Sequence, residues 1–570
     1  MIIGGSRQQP QQEPQQGPQQ PATGRPGDEV PGLDDGSPAR RPWWVWTIPF
    51  AVLTAVLVAR NWFLFSTKLY EQGDMASNSL RIEEARHFTL LIGDYSRLRF
   101  SHPGPAYFYV QAWGEELFYD LLHWTPTAWN AQILAVYALN SAWVALAVGV
   151  VYGWTRSVRG AAVALAVFAA AAVLHPIILS SDWMSFLYVP TYTIFVIAAA
   201  SVAAGRGQDA WILALSGWFL IHGHAAYLFF VPALTAAVLV ALLWPVRRTL
   251  RASIADFFAR HRGVWVSVAV ISLIFLLPIL VNVSLHWPGD FGKYFSYGSS
   301  QTGGHPIRKV IHYVLWFWWP TQNAPSTAVL ALVPVLLYAA AAALMWWFAA
   351  PAVRRFGLAV LAMNAVSTLA FVFYSFTGVD DLSSKGYYIG YFYWSAPLIT
   401  VLVIAVGLVE VVARPPRHAA LSRRTVLAVT AASIAVAVAA VAVFAARPLT
   451  RTPTAFTNPY IASFAPDTDP AIPHLVAVAE ARSPGKELVF KLDHNAWRDM
   501  NGILVQAYRT GARACIDDPW WEFMVTDQFI CTPQQVKGGA KYYLWDDQSH
   551  PAGHVLARVY DGRLTAGWPK

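Results

Sequence analysis

Apolar runs of about 20 residues, long enough to cross a bilayer, recur along most of the chain, and short arginine-bearing segments separate many of them. Apolar length and flanking charge predict about eleven spans, at 43–65, 128–152, 160–180, 186–204, 210–222, 225–244, 264–283, 326–349, 357–376, 388–412 and 425–446. The run 211–244 is too long for one helix, and His-Gly-His at 222–224 divides it in two. Arg40 and Arg41 precede the first span, which places the N-terminus in the cytoplasm by the positive-inside rule. Arg156 and Arg159 follow the second span, Arg206 the fourth, Arg247, Arg248 and Arg251 the sixth, Arg354 and Arg355 the eighth, and Arg414, Arg417, Arg423 and Arg424 the tenth. All five loops fall on the N-terminal side. The long polar segments 66–127, 284–325 and 377–387, and everything from 447 onward, then face outward.

These outer segments carry patterns of their own. In 75–92, Leu80, Ala85, Phe88, Leu91 and Ile92 recur at near-helical spacing opposite Arg81, Glu83, Glu84 and His87. This predicts an amphipathic helix lying on the membrane surface. Residues 105–124 read as a second such helix, rich in interfacial aromatics, and 307–320 as a third. The tail 447–570 reads as a small α/β domain. ELVFKLDHN, ARACI, KYYLWDD and HVLARVYD are strand candidates, and AWRDMNGILVQAYRTG has helical periodicity up to Gly511. It shows no catalytic constellation, and a structural or carbohydrate-contacting cap is expected. Residues 1–42, with QQPQQEPQQGPQQP, cannot bury a core and are expected to form a disordered cytoplasmic tail. The predicted fold class is mainly α. It comprises a polytopic membrane domain over 43–446, interfacial helices in the outer loop 66–127, and an extracytoplasmic α/β domain over 447–570.

Composition agrees with the pattern. The chain of 570 residues is 56% hydrophobic and only 13% charged, sparse for a soluble protein. The net charge of +8 reflects arginines in the short loops rather than a nucleic-acid surface. From Arg447 onward there are 13 basic and 13 acidic residues, so the tail adds nothing to it. Cys515 and Cys531 both lie in the tail. In an oxidising compartment a disulfide between them is favoured over two buried thiols.

The candidate chemistry collects on the outer side. Asp74 reads either as the N-cap of a helix beginning at Met75 or as a carboxylate base near the membrane surface. GDYSRLRFSHPGP, residues 93–105, is polar and then stiff. Pro103 and Pro105 fix their own φ and hold His102 and Gly104 extended, and Pro105 can open the next helix at N1. The corner aims Arg97, Arg99 and His102, residue types suited to phosphate or a leaving oxygen, although interfacial arginines at a lipid headgroup read equally well. His222, His224, Asp182, Trp183, His305, Arg308, Lys309, Asp380, Asp381 and Lys385 are further outer groups, each expected to be solvated or headgroup-facing when taken singly. No Walker, GxGxxG, HExxH or CxxC signature is present, so no metal or other cofactor is expected. The near absence of charge mid-span argues against an ion-coupled transporter.

The arrangement resembles the GT-C superfamily of integral membrane glycosyltransferases. These include protein O-mannosyltransferases, aminoarabinose transferases and actinobacterial arabinofuranosyl- and mannosyltransferases. GDMASNSLRIEEARHFTLLIGDYSRLRFSHPGPAYFYVQAWGE is similar to a stretch in bacterial membrane proteins of that type. LSSDWMSFLYVPTYTIF, HGHAAYLFFVP and LLPILVNVSLHWPGDFGKYF are similar to later blocks of the same proteins, over about 44–410. The resemblance implies an inverting transferase in a bacterial cytoplasmic membrane. It would move sugar from a polyprenyl-phosphate donor to a hydroxyl of a glycan, lipid or protein at the outer face. Asp74 stands where the superfamily places its catalytic carboxylate. Many relatives carry an adjacent acidic pair, whereas Asp74 is flanked by Gly73 and Met75, which puts a metal role in doubt. Arg97 and His102, with His224, Arg308 and Lys309, would bind substrate and neutralise the departing phosphate. The competing expectations are a lipid or polysaccharide flippase and a non-catalytic envelope assembly protein.

Overall fold

The structure, a computed structural model, describes residues 41–245, 261–300, 304–319, 327–413, 471–549, 553–559 and 562–569, with isolated positions between them. The expected disordered tail before residue 41, and nearly all of the span expected at 425–446, lie outside the described residues.

Ten helices stand where the first ten spans were expected: α1 (Trp44–Arg60), α4 (Ala128–Thr155), α5 (Val158–Leu174), α6 (Met184–Ala203), α7 (Ala210–Gly223), α8 (Tyr227–Leu243), α9 (Arg262–His286), α12 (Thr327–Phe348), α13 (Pro351–Thr377) and α14 (Ser395–Ala413). Between α1 and α4 lie α2 (Gly73–Arg86) and α3 (Ala106–Gly114), and between α9 and α12 lie α10 (Gly289–Ser300) and α11 (Ile307–Trp316). Among the described residues, six segments are long and apolar enough to cross a membrane, and α1, α5 and α8 are shorter apolar helices. The central helix is α6, buried along nearly its whole length against α4, α7, α8, α13 and α14. By contrast α9 turns Leu273, Leu277 and Leu280 outward, as a helix facing lipid tails can. The first two spans are tied by Asn130. Its Nδ2 donates to the carbonyls of Leu64 and Thr67, both at 2.8 Å. At one end of the bundle Arg41 pairs with Asp209 at 2.7 Å, and Arg206 lies over the Trp154 ring. This gathers arginines from the N-terminal flank and from the loop after α6.

The tail is a five-stranded sheet, ordered β4-β3-β5-β7-β6, from β3 (Leu488–Leu492), β4 (Ala514–Ile516), β5 (Ala540–Asp546), β6 (Val555–Arg558) and β7 (Gly562–Ala566). β4, β3 and β5 run parallel, and β7 and β6 join antiparallel. Helices α15 (Ala471–Arg482) and α16 (Trp497–Thr510) pack on it around Leu475, Phe490, Ile503, Leu504 and Leu544. Short helices α17 (Glu522–Val525) and α18 (Pro533–Gly538) complete the domain. Cys515 and Cys531 form a disulfide with Cα atoms 5.0 Å apart. Strand β7 and helix α15 were not legible as elements.

One expectation is corrected. Helix α2 does not lie on the membrane surface with its charges in water. Met75, Ile82 and Ala85 enter the core of the helical bundle, whereas Ala76 and Leu80 enter the core of the tail domain. The charged side is buried beneath the tail. Arg81 donates to the carbonyls of Met524 and Phe523, both at 2.8 Å, and Arg509 donates to Glu83 at 2.9 Å. A polar helix side can leave water when each charge meets a partner, and here a segment more than 400 residues away supplies it. The second outer helix also differs: α3 continues as a π-helical turn over Glu115–Leu121, and Pro105 stands just before its first residue.

Candidate functional site

Asp74 sits in the first turn of α2, but it is not the N-cap. The helix begins at Gly73, and the preceding Gln72 makes no side-chain cap. Its carboxylate turns away from the helix end. One oxygen accepts from the Tyr95 hydroxyl, and the other accepts from Trp183 Nε1 at 3.0 Å. Each donor has a local reason to be there. Tyr95 belongs to a hairpin of two short strands, β1 (Tyr95–Ser96) and β2 (Phe100–Ser101), whose tip places Arg99 at φ 64°. Trp183 precedes α6, where its backbone N–H donates to the Ser181 hydroxyl.

The carboxylate opens into a cavity of about 1430 Å³. Its walls come from the hairpin, the tip between α7 and α8, helix α10, the segment 377–392 and the tail. Asp74, Asp94, Arg97 and Asp380 provide charge, and Tyr188, Tyr227, Tyr294, Tyr388 and Tyr391 provide phenols. Leu228, Phe229, Phe291 and Phe295 make part of the wall apolar, and Leu228, Phe229 and Phe295 are exposed. The cavity is therefore amphipathic, with a carboxylate in one part of its wall and apolar side chains in another.

The expected residues divide. Arg97 lines the cavity, pairs with Asp380 and lies 5.7 Å from the Tyr388 ring centre. His102 and His224 both line it, with ring centres 4.1 Å apart. His102 Nδ1 accepts from the Ala225 N–H at 3.2 Å, which leaves the ring proton on Nε2. Burial, and next the neighbouring His224, push the His102 pKa well below its ordinary value. Burial pushes His224 down to about 4. Both rings are neutral near pH 7, so His102 offers a hydrogen bond and not a charge. Arg308 and Lys309, on the first turn of α11, are exposed and do not line the cavity. The apolar face of α11, with Val310, Tyr313 and Val314, enters the bundle. His305 is likewise spent on the Val379 carbonyl at 2.7 Å.

Asp182 and His222, expected to be solvated or headgroup-facing, are buried. Asp182 is buried and accepts from Trp129 Nε1 at 2.6 Å, and burial raises its pKa to about 6. Asp94 lines the cavity near Arg81 and Asp74; burial raises its pKa to about 7 against the pull of Arg81. His222 is buried and contacts the Phe275 carbonyl through Nε2 at 2.8 Å. It also explains Gly104, because a Cβ there would lie 2.4 Å from His222 Nδ1. The stiff corner of GDYSRLRFSHPGP thus packs directly on the His-Gly-His tip. The sequence reading missed Tyr95 and Trp183 as partners of Asp74, and it missed the tail's share of the wall. Tyr95 lay inside the singled-out stretch, and the Asp182-Trp183 pair was a visible signal; the tail's aromatics gave none. Among the described residues, no three His, Cys, Asp or Glu gather as a metal site would require.

No family model matches the chain, and no curated protein matches it significantly. Solved structures do. ArnT from Cupriavidus metallidurans bound to undecaprenyl phosphate superposes with a TM-score of 0.52 at 13% identity, covering 92% of this chain and 98% of that one. The same protein in its apo state gives 0.50 at 15% identity, covering 91% and 97%. The chain therefore shares the fold of ArnT, in a multi-pass membrane protein.

Proposed function

We propose that this chain, built on the GT-C fold, is a membrane glycosyltransferase. It moves a sugar from a polyprenyl-phosphate donor to an acceptor hydroxyl at the outer face of a bacterial cytoplasmic membrane. The observation that carries the reading is the amphipathic cavity with Asp74 in its wall. A lipid-linked sugar needs apolar surface for its chain and a polar chamber for its head group, and the cavity wall carries both apolar and charged side chains. The undecaprenyl phosphate bound by the structural neighbour supports a donor of that class.

Asp74 acts as general base. Its carboxylate takes the proton of the acceptor hydroxyl as that oxygen attacks the anomeric carbon. The bond from anomeric carbon to phosphate oxygen breaks, and the polyprenyl phosphate leaves with the electron pair. Attack from the side opposite the leaving group inverts the anomeric centre. The Tyr95 hydroxyl and Trp183 Nε1 fix the carboxylate's orientation and leave lone pairs on both oxygens for the incoming hydroxyl. Arg97 supplies positive charge to the cavity, where preorganised charge favours a developing phosphate anion. His102 adds its Nε2–H.

The test compares the purified protein with Asp74→Asn on a panel of polyprenyl-phosphate sugars. Release of lipid phosphate by the wild type, and a loss of at least about 100-fold in a stably folded Asn variant, is the expected outcome. Equal turnover by both would remove Asp74 from the mechanism, and no release from any donor would sink the transferase reading.

A further inference from the structure

The tail brings its own chemistry to the cavity. Trp497 and Arg498 open helix α16 and stand against Gly73, the residue before Asp74. A Cβ on Gly73 would lie 3.4 Å from Arg498 Nε and 3.6 Å from the Trp497 ring. Gly73 has φ +55°, a conformation glycine adopts without strain, so the approach of tail to base is built on this position. Trp520, in the turn Pro519–Trp521, lines the same cavity and keeps 38% of its surface exposed. His494 lies 5.1 Å from it, and the Arg99 guanidinium 5.4 Å from its ring centre.

We propose that this tail wall is the acceptor site and that the acceptor is a carbohydrate. The proposal rests on the transferase reading above and names its second substrate. A sugar ring presents a face of C–H groups and a rim of hydroxyls. An indole held open to solvent takes the C–H face, while guanidinium and imidazole groups beside it serve the hydroxyls. The wall holds both kinds of group within reach of Asp74. A lipid acceptor would call for a second apolar wall. The apolar wall, with Phe229 of α8 and Phe295 of α10, is the one the proposed donor's chain would use.

The experiment applies the full chain, in detergent, to an array of bacterial glycans and to a peptide array. Trp520→Ala and Trp520→Phe are run in parallel, and thermal unfolding checks that each variant is folded. The wild type is expected to bind a subset of glycans. Trp520→Ala should bind them at least about tenfold more weakly, which is about 1.4 kcal/mol, and Trp520→Phe, which keeps a ring, should stay near wild type. Wild-type binding to no glycan, binding to peptides alone, or equal binding by Trp520→Ala would each overturn the proposal. Lipid-phosphate release measured on the same preparations separates the two readings. Release without glycan binding removes the carbohydrate acceptor and spares the transferase. Glycan binding without release spares the site and removes the catalysis.

Discussion

Asp94 illustrates what a single buried group does. It neighbours Asp74, Tyr95 and Arg81, and burial raises its pKa to about 7 from an ordinary 3.8. The folded chain holds that proton up to near pH 7, whereas the unfolded chain releases it near pH 4. The group's contribution to stability is therefore full below about pH 4 and is lost as pH rises through about 7. Asp94→Asn should remove this component, so the gap between its melting temperature and that of the wild type should change between pH 4 and pH 7 and then level off. Thermal unfolding across that range measures it, and parallel curves would contradict the assignment. At this scale the sequence was partly legible. Asp74 and the 93–105 stretch stood out because polar residues interrupt an apolar chain. Which partner each would meet was not legible, because Trp183 is 109 residues from Asp74 and Asp380 is 283 from Arg97.

Among elements, α2 is the hinge of the construction. It is a polar helix clamped between two cores, and its charges close on Arg509 of α16. That guanidinium donates to Glu83 at 2.9 Å, pairs with Glu71, and lies 3.7 Å from Glu115. Burial alone would lower the Arg509 pKa, but Glu71, Glu115 and Glu83 outweigh it and hold it raised. Removing one partner of a buried ion network leaves the others uncompensated, at a cost of about 3–5 kcal/mol. Arg509→Ala should therefore loosen the tail from the bundle, and hydrogen exchange should accelerate in the amides of α2 while α6 stays protected. Unchanged exchange in α2 would contradict this. Spans were the most legible elements, since bilayer thickness dictates their length. Helix α2 was found but misplaced, because an amphipathic pattern reports that a polar side exists and not whether water or another domain will cover it. The same limit hid β7, whose five residues become a strand by pairing with β5 and β6.

For the whole molecule, the site belongs to no single part. The bundle provides Trp183 and the apolar wall, the first outer loop provides Asp74 and Tyr95, and the tail provides Trp497 and Trp520. A chain truncated before residue 471 keeps every residue of the Asp74 triad of contacts but exposes Arg81 and Glu83, now buried. It should reach the membrane yet release no lipid phosphate above background, and adding the separate tail should not restore more than a small fraction. Full activity in the truncated chain would show that the tail is dispensable for the chemistry.

Helix α2 also sets an order of events in the life of each copy. Ser77 Oγ donates to the Met524 carbonyl, 447 residues later, and Gln72 Nε2 donates to Asp499, 427 residues later. A ribosome exposes Asp74 early and its cover almost last. Until then Asp74 stands in a half-built chamber with no wall on the tail side. The tail side of the Asp74 pocket is thus the last part of the fold to be made, and a chain stopped before residue 471 lacks it.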